Sequence, residues 1–438
     1  MEELLFAPIA ELRDLYARHE VSPVEVLDAV LARLDRLEPE LNAFVTVLDG
    51  PARRQAERAE RDFLRGVPAA PLAGIPVSVK DLIAIPGVRM TAGSRILRDH
   101  RPDRGSAVHA ALRSAGAVVF GTANLLEFAY GFVHADHGQA NNPWDVGRTA
   151  GGSSSGSVAA GIGHASIGTD TGGSVRLPAA FCGLVGLRPT HGAIDMAGVL
   201  PLAPSLDTVG VLARTPADAR LVHEVLAGPQ PAPPAPVRSI GVVADLLGEP
   251  LTPQVRKVFD HALDVLARAG ARCREVRLPG IEEFTGQVAT TMLAEAAHEH
   301  RAWYPARAAD YAAGTRANLA AGRDVTATAY LHAMDERRRF TGVVDAALRE
   351  VDLLAAPTIG FTAPEREPDF EGGGLGYVLR TMPFSGTGHP AVNVPAGVTA
   401  DGLPAGLQLV ARHGREADLL AAAEMFEREV AGFPRSGL

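Results

Sequence analysis

One segment of the chain crowds residues that can do chemistry. Gly151–Pro178, GGSSSGSVAAGIGHASIGTDTGGSVRLP, carries six serines and eight glycines ahead of Arg176. Glycine weakens helices and strands alike, so this density needs a reason. A flexible Gly/Ser linker fits the composition. Against it, the segment runs into the apolar VRLPAAFCGLVGLRP, which reads as buried. A phosphate cradle of the G-x-x-x-x-G-K-[ST] type needs a lysine, and none lies between Gly147 and Gly183. GIGHAS does not complete a dinucleotide fingerprint either. The third reading is a serine nucleophile in a glycine-rich turn.

Two serines compete for that role. Ser154 lies in GSSSG, Gly152 to Gly156, a formal match to the G-x-S-x-G elbow. That elbow needs a strand before it, and the polar GQANNPWDVGRTAG precedes instead. Ser174 follows paired glycines in GTDTGGSVRLP. There the backbone can approach a ligand closely, and the N–H groups of Thr171, Gly172, Gly173 and Ser174 make a candidate oxyanion hole. A serine of ordinary pKa needs a base. None of the fourteen histidines falls in a triad pattern, whereas GIPVSVKDLI ends an apolar strand in Lys80. Lys80 is either a surface residue paired with Asp81 or a buried base. In the second case its pKa falls from about 10.4 to about 7.5, at roughly 4 kcal/mol.

These groups need elements to hold them. SPVEVLDAVLARLDRLEP opens with a helix-start signal: Ser22 as cap, Pro23 at the first helical position, Glu25 closing a capping box. Leu27, Val30, Leu31, Leu34 and Leu37 line one face, which packs on something larger and offers a possible homodimer surface. A charged helix over 52–65 follows. GIPVSVKDLI and GAVVFG read as strands with the helical SAVHAALRSAG between them. Further strands are SIGVVAD, VDLLAAPT, HPAVNVPAG and PAGLQLVA, interspersed with helices over Pro253–Ala269 and Glu416–Val430. The alternation predicts an α/β fold, a single large mixed, mostly parallel sheet covered by helices on both faces. The Pro-rich Gly228–Val237 reads as a surface crossing, so one large domain is expected across 1–438. Its parts are N-terminal helices (1–65), a core (66–215), a variable α/β part (237–380) and C-terminal strands with a helix (381–438).

Composition narrows the classes. At 47% hydrophobic and 21% charged, the 438 residues can build a sizeable core. A net charge of −9 argues against a nucleic-acid grip of the chain's own. Two cysteines give neither a disulfide framework nor metal spacing, which fits a reducing cytosol. MEELLFAPIAELRD has no basic n-region with an apolar stretch, and no apolar run reaches membrane-spanning length. A cytoplasmic protein without a membrane span is expected.

LAGIPVSVKDLI, TAGSRIL, NLLEFAYG, NPWD, GGSSSGS, GTDTGGSVRLPAAFCGLVGLRPT, VDLLAAPT and TGHPAVNVPAG with GLPAGLQLVA closely resemble the amidase signature family, in that family's order. The resemblance implies an amidohydrolase acting on a small-molecule carboxamide through a Ser-cisSer-Lys acyl-enzyme mechanism, with no cofactor. It assigns Lys80 as base, Ser153 as bridging serine in a cis peptide, and Ser174 as nucleophile. Thr171, Gly172 and Gly173 with the Ser174 amide match its oxyanion hole. An alternative within the family is the glutaminase component of glutamyl-tRNA(Gln)/aspartyl-tRNA(Asn) amidotransferase. A silent scaffold or a Ser154 esterase ranks below both.

Two departures from the family's pattern stand out. Ser153 and Ser174 are 21 positions apart, about three fewer than the family's usual spacing, which predicts a helix shortened by about one turn. GTAN, Gly121 to Asn124, stands where the family reads G-K-T-N, a change expected at the edge of the substrate pocket. Asp170 and Arg176 are expected to brace the catalytic loop, and Cys182 to be a small core residue. The pairs His134/His137 and His298/His300 are read as bland rather than metal-binding. Specificity is expected in loops within 131–145 and 301–388.

Overall fold

The computed structural model describes residues 2–154, 157–229, 232–367 and 374–438. Its strands are β1 (Phe44–Val47), β2 (Pro76–Lys80), β3 (Val118–Ala123), β4 (Asn141–Asn142), β5 (Asp145–Thr149), β6 (Ala165–Asp170) and β7 (Val185–Arg188). They continue with β8 (Thr208–Ala213), β9 (Ser239–Val243), β10 (Arg272–Val276), β11 (Leu353–Pro357), β12 (Ala391–Val398) and β13 (Pro404–Val410). Eleven of them form one sheet, ordered β1-β3-β2-β6-β8-β7-β12-β13-β11-β9-β10, and β4 pairs with β5 alone.

The sheet is mixed, as expected, with its parallel character on the two flanks. β3, β2 and β6 run parallel, as do β11, β9 and β10. From β6 through β8, β7, β12 and β13 to β11 every pairing is antiparallel, and β1 closes one edge antiparallel to β3. Parallel neighbours need a crossover, whereas antiparallel ones need only a turn. The short turn between Val398 and Pro404 is such a link, joining β12 to β13.

Strand alternation shows the two covered faces. On β13, Leu407 and Leu409 enter a core shared with Phe259, Leu266, Leu419 and Phe426 from the helices Pro253–Arg268 and Glu416–Glu429. Gln408, between them, reaches Arg176 of the helix Arg176–Cys182 on the other face. That short helix lies close against β7. A Cβ on Gly186 would stand 2.5 Å from the Ala179 methyl, which leaves no room for a larger residue.

The N-terminal capping box is present. Ser22 Oγ accepts from the Glu25 N–H at 3.1 Å, and Glu25 Oε2 accepts from the Ser22 N–H at 2.8 Å. The helix Pro23–Leu41 then buries Leu27, Val30, Leu34 and Leu37 beside Phe44, Val118 and Phe120. The face read from the sequence as a dimer surface is therefore largely packed within the chain, mainly against the helix Asp49–Leu64. The charged helix runs over Asp49–Leu64. In the Pro-rich crossing, 230 and 231 lie outside the described residues, and 232–237 has no regular structure. No helix among the described residues is long and apolar enough to cross a membrane.

Candidate active site

The parallel pair β2 and β6 ends in Lys80 and Asp170, so two charged residues leave neighbouring strands at the same edge of the sheet. Lys80 is 1% exposed. Its Nζ lies 2.5 Å from Ser153 Oγ and 2.9 Å from Thr169 Oγ1. Burial lowers the pKa of the amine from 10.5 to about 7, against the opposing pull of Asp170 and Asp207. Asp81 does not pair with it. That carboxylate turns to Thr91, accepting from the backbone N–H at 2.8 Å and the hydroxyl at 2.5 Å. The surface reading of Lys80 therefore gives way to the buried one.

Ser153 follows a cis peptide bond from Gly152, as the resemblance implied. It and Ser174 line one cavity of about 230 Å³ together with Gly152, Thr171 and Gly172. Among the described residues no hydrogen bond joins the two serine hydroxyls. Catalytic contacts often tighten only around a substrate. Ser154, the rival nucleophile, is buried with its Oγ 3.4 Å from the Thr169 carbonyl, and it is absent from the cavity wall. Ser155 and Gly156 of the G-x-S-x-G match lie outside the described residues. The described backbone between Ser153 and β6 has a single 3₁₀ turn, Ser157–Ala160.

The loop after β6 presents its backbone to the cavity. Among the described residues, the N–H groups of Gly172, Gly173 and Ser174 find no acceptor in the protein. Gly173 has φ +139°, and a Cβ there would stand 2.4 Å from Thr381 Oγ1. Only glycine fits both conditions. The loop is held from two sides. Thr381 Oγ1 donates to the Gly172 carbonyl at 2.6 Å, and Thr171 Oγ1 donates to Asp207 Oδ1 at 2.6 Å. Asp207 also accepts from the Leu202 and Ala203 N–H groups at 2.8 and 3.0 Å, while burial raises its carboxyl to about 6.

Beneath the loop lies a fully buried charge cluster. Arg176 Nε and Nη2 donate to the two Asp170 oxygens at 3.0 and 2.9 Å. The remaining Arg176 donors reach Gln408 Oε1 at 2.7 Å, Ser385 Oγ at 2.7 Å and the Thr381 carbonyl at 3.0 Å. Arg188 adds a second cation on Asp170 at 3.2 Å. Burial would raise the Asp170 carboxyl, but the two guanidinium groups outweigh it and hold the group ionised, well below the usual range. Asp170 and Arg176 are thus bonded to each other at the base of the loop.

The cavity wall is otherwise apolar. Leu126, Leu177, Leu202, Met292, Leu293 and Met382 supply most of it, with Asn318 and Glu367 as further polar groups. Among the described residues, none that lines the cavity is lysine, arginine or histidine. Gly131, Asn318, Glu367 and Tyr377 come from the two loop regions expected to set specificity. The helix Ile281–Glu299, which adds Ala289, Met292 and Leu293, was not anticipated. Thr122, in the departing GTAN, is buried in β3 and does not reach the cavity.

The conspicuous histidines have ordinary roles. His134 bonds the Asp310 carbonyl at 3.2 Å and accepts from the Asp136 N–H at 3.1 Å, which occupies both ring nitrogens. His298 is exposed, whereas His300 is buried against Phe128 and Tyr311. Cys182 is a buried core residue whose thiol reaches the Ala150 carbonyl. Thr169, Asp207, Thr381, Ser385 and Gln408 escaped the sequence reading. They share no local pattern: Thr169 stands beside Asp170, Asp207 beside Thr208 and Thr381 beside Arg380, so nothing in the sequence marks them out.

The Amidase family profile matches residues 25–420, and the chain belongs to that family. It is 34% identical to the A component of the glutamyl-tRNA(Gln) amidotransferase of Geobacter sp. (strain M21), over 98% of each chain. A crystal structure of an amidase superposes with a TM-score of 0.90 at 33% identity, covering 96% of this chain and 99% of that one. The peptide amidase of Stenotrophomonas maltophilia superposes with a TM-score of 0.85 at 28% identity, over 98% of each.

Proposed function

We propose that the chain is an amidohydrolase that cleaves the carboxamide C–N bond of a small molecule through an acyl-enzyme on Ser174. The observation that carries the reading is Lys80, a buried amine with a pKa near 7, in contact with Ser153 at the wall of the cavity that also holds Ser174. A neutral amine can take a proton; an ammonium cannot. Lys80 Nζ accepts the Ser153 proton while Ser153 accepts that of Ser174. Ser174 Oγ attacks the carbonyl carbon, and the N–H groups of the Thr171–Ser174 loop receive the negative oxygen. Each such donor is worth roughly 2.7–4 kcal/mol of barrier when correctly aimed. The protonated relay returns a proton to the leaving nitrogen, and ammonia or an amine departs. Water then repeats the path and frees Ser174 and the acid.

A second reading, the glutaminase component of an amidotransferase, is favoured by the curated relative at 34% identity. It would supply ammonia from glutamine and work with partner proteins. The cavity counts against it, because among the described residues no lining cation awaits the α-carboxylate of glutamine. Ammonia release from glutamine and from a panel of aliphatic and aryl carboxamides, by wild type and Ser174→Ala, separates the two. Release from the panel by wild type alone supports the first reading. Release from glutamine alone, with partner proteins on purification, supports the second. Release that survives Ser174→Ala overturns both.

A further inference from the structure

The chamber above Ser174 is apolar save for its inner serines and threonine, the Tyr130 and Tyr377 hydroxyls, Asn318 and, among the described residues, one carboxyl group. Glu367 and Gly131 line both that chamber and a second, more open cleft of about 520 Å³, so Glu367 stands at the neck between the two. Its position is fixed. The Glu367 N–H donates to Gln139 Oε1 at 2.8 Å, Thr149 Oγ1 donates to Oε1, and Tyr377 Oη lies 3.4 Å from Oε2. A carboxylate has about four lone-pair directions, and these two hydroxyls use two.

Its electrostatic setting is incomplete. Burial pushes the Glu367 carboxyl up to about 7, opposed only by the Thr149 and Tyr377 hydroxyls, and no cation among the described residues contributes. Arg366, the next residue, lines the outer cleft and not the chamber. A negative charge against apolar walls is costly unless a counter-charge arrives with the ligand. Hydroxyl donors are already supplied here. Among the described residues, positive charge is what the neck lacks.

We infer that Glu367 selects carboxamides carrying an ammonium group at the end remote from the scissile bond, joined to it by a short apolar segment. The inference rests on the amidase reading for the direction in which substrate lies. The carboxamide sits under the Thr171–Ser174 amides, methylenes run along Leu126, Leu177 and Met382, and the ammonium meets Glu367 at the neck. A terminal carboxylate would meet like charge in the same place.

The test compares ω-aminoalkanamides with the ω-methyl and ω-carboxy compounds of equal length, in wild type, Glu367→Gln and Glu367→Lys. Wild type should favour the ammonium compound over its ω-methyl isostere by at least about tenfold in kcat/KM, chiefly through KM. In Glu367→Gln that ratio should fall towards one. In Glu367→Lys the preference should pass to the ω-carboxy compound. A purely structural role for Glu367 would lower every substrate alike and leave the ratios unmoved, which would overturn the inference. Calorimetric binding of the same compounds to Ser174→Ala, with and without Glu367→Gln, reads the selectivity without turnover. If no amide is hydrolysed yet Ser174→Ala still prefers the ammonium compound, the catalytic reading fails and the assignment of Glu367 stands. Equal binding of all three compounds would sink it.

Discussion

Replacing Lys80 with methionine removes a titrating group and keeps the side chain's volume. The drop of the Lys80 pKa from 10.5 to about 7 corresponds to roughly 5 kcal/mol of disfavour for the folded ammonium. Above about pH 10 the lysine is neutral in both states and this cost vanishes. Between about pH 10 and about pH 7 the unfolded chain holds the proton and the folded one does not. Lowering the pH then destabilises wild type by about 1.4 kcal/mol per unit, while Lys80→Met lacks this dependence. From about pH 9 to about pH 7 the stability difference between the proteins should therefore shift by about 2–3 kcal/mol in favour of the variant. Urea unfolding midpoints at several pH values measure that shift, with groups common to both proteins cancelling. In wild type, kcat/KM should fall tenfold per pH unit below about 7, because the base is then protonated. Asp207, with its carboxyl raised to about 6, titrates nearby and its charge holds the Lys80 pKa up, so Asp207→Asn should move the limb below 7. Parallel stability curves for wild type and Lys80→Met, or an acid limb set by a group near pH 4, would show that Lys80 is not held neutral.

Other outcomes follow from the same geometry. An acylating serine probe followed by peptide mass spectrometry should label Ser174 in wild type, while Ser154→Ala keeps its labelling and turnover. Gly173→Ala puts a methyl 2.4 Å from Thr381 Oγ1 at φ +139°, so kcat should fall by about 10²–10³ as the loop amides lose their aim. An unchanged kcat there would remove the oxyanion role of the loop. Asp170→Asn leaves Arg176 and Arg188 buried with no counter-charge from that position, and chemical denaturation should read a loss of about 3–5 kcal/mol. A loss under about 1 kcal/mol would mean the cluster relaxes or admits water.

The strands VSVK, VVF, LLAAP and GLQLV were legible because β-branched and apolar runs between glycine and proline are a local signal. Helix starts at Ser22 and Thr252 were legible too, since a cap and the following proline lie within four residues. β6 was not. Its ASIGTD has too little bulk to announce a strand, and it forms because β2 and β8 supply ladders on both sides. The short helix Arg176–Cys182 was hidden in the same way, behind Pro178 and a run of small residues. At the site, Lys80 and Ser174 stand out as residue types that could have a task, whereas Ser153 is singled out only by the family resemblance. Thr381 and Asp207 belong to the catalytic loop only through contacts more than thirty positions away, and no local pattern encodes such pairings.

The loop from Asp170 to Arg176 is joined to Thr381, Ser385 and Gln408, all in the last sixty residues of the chain. During synthesis Ser174, the proposed nucleophile, and its neighbouring amides therefore leave the ribosome long before the residues that fix their shape. A nascent chain that stops short of Thr381 holds every group assigned to the chemistry and should hydrolyse nothing. Ammonia release timed against chain completion, with arrested chains as the comparison, would register the moment at which the C-terminal strands dock. On the proposed reading, the order of the sequence delays activity until the segment that carries Thr381, Ser385 and Gln408 has been made.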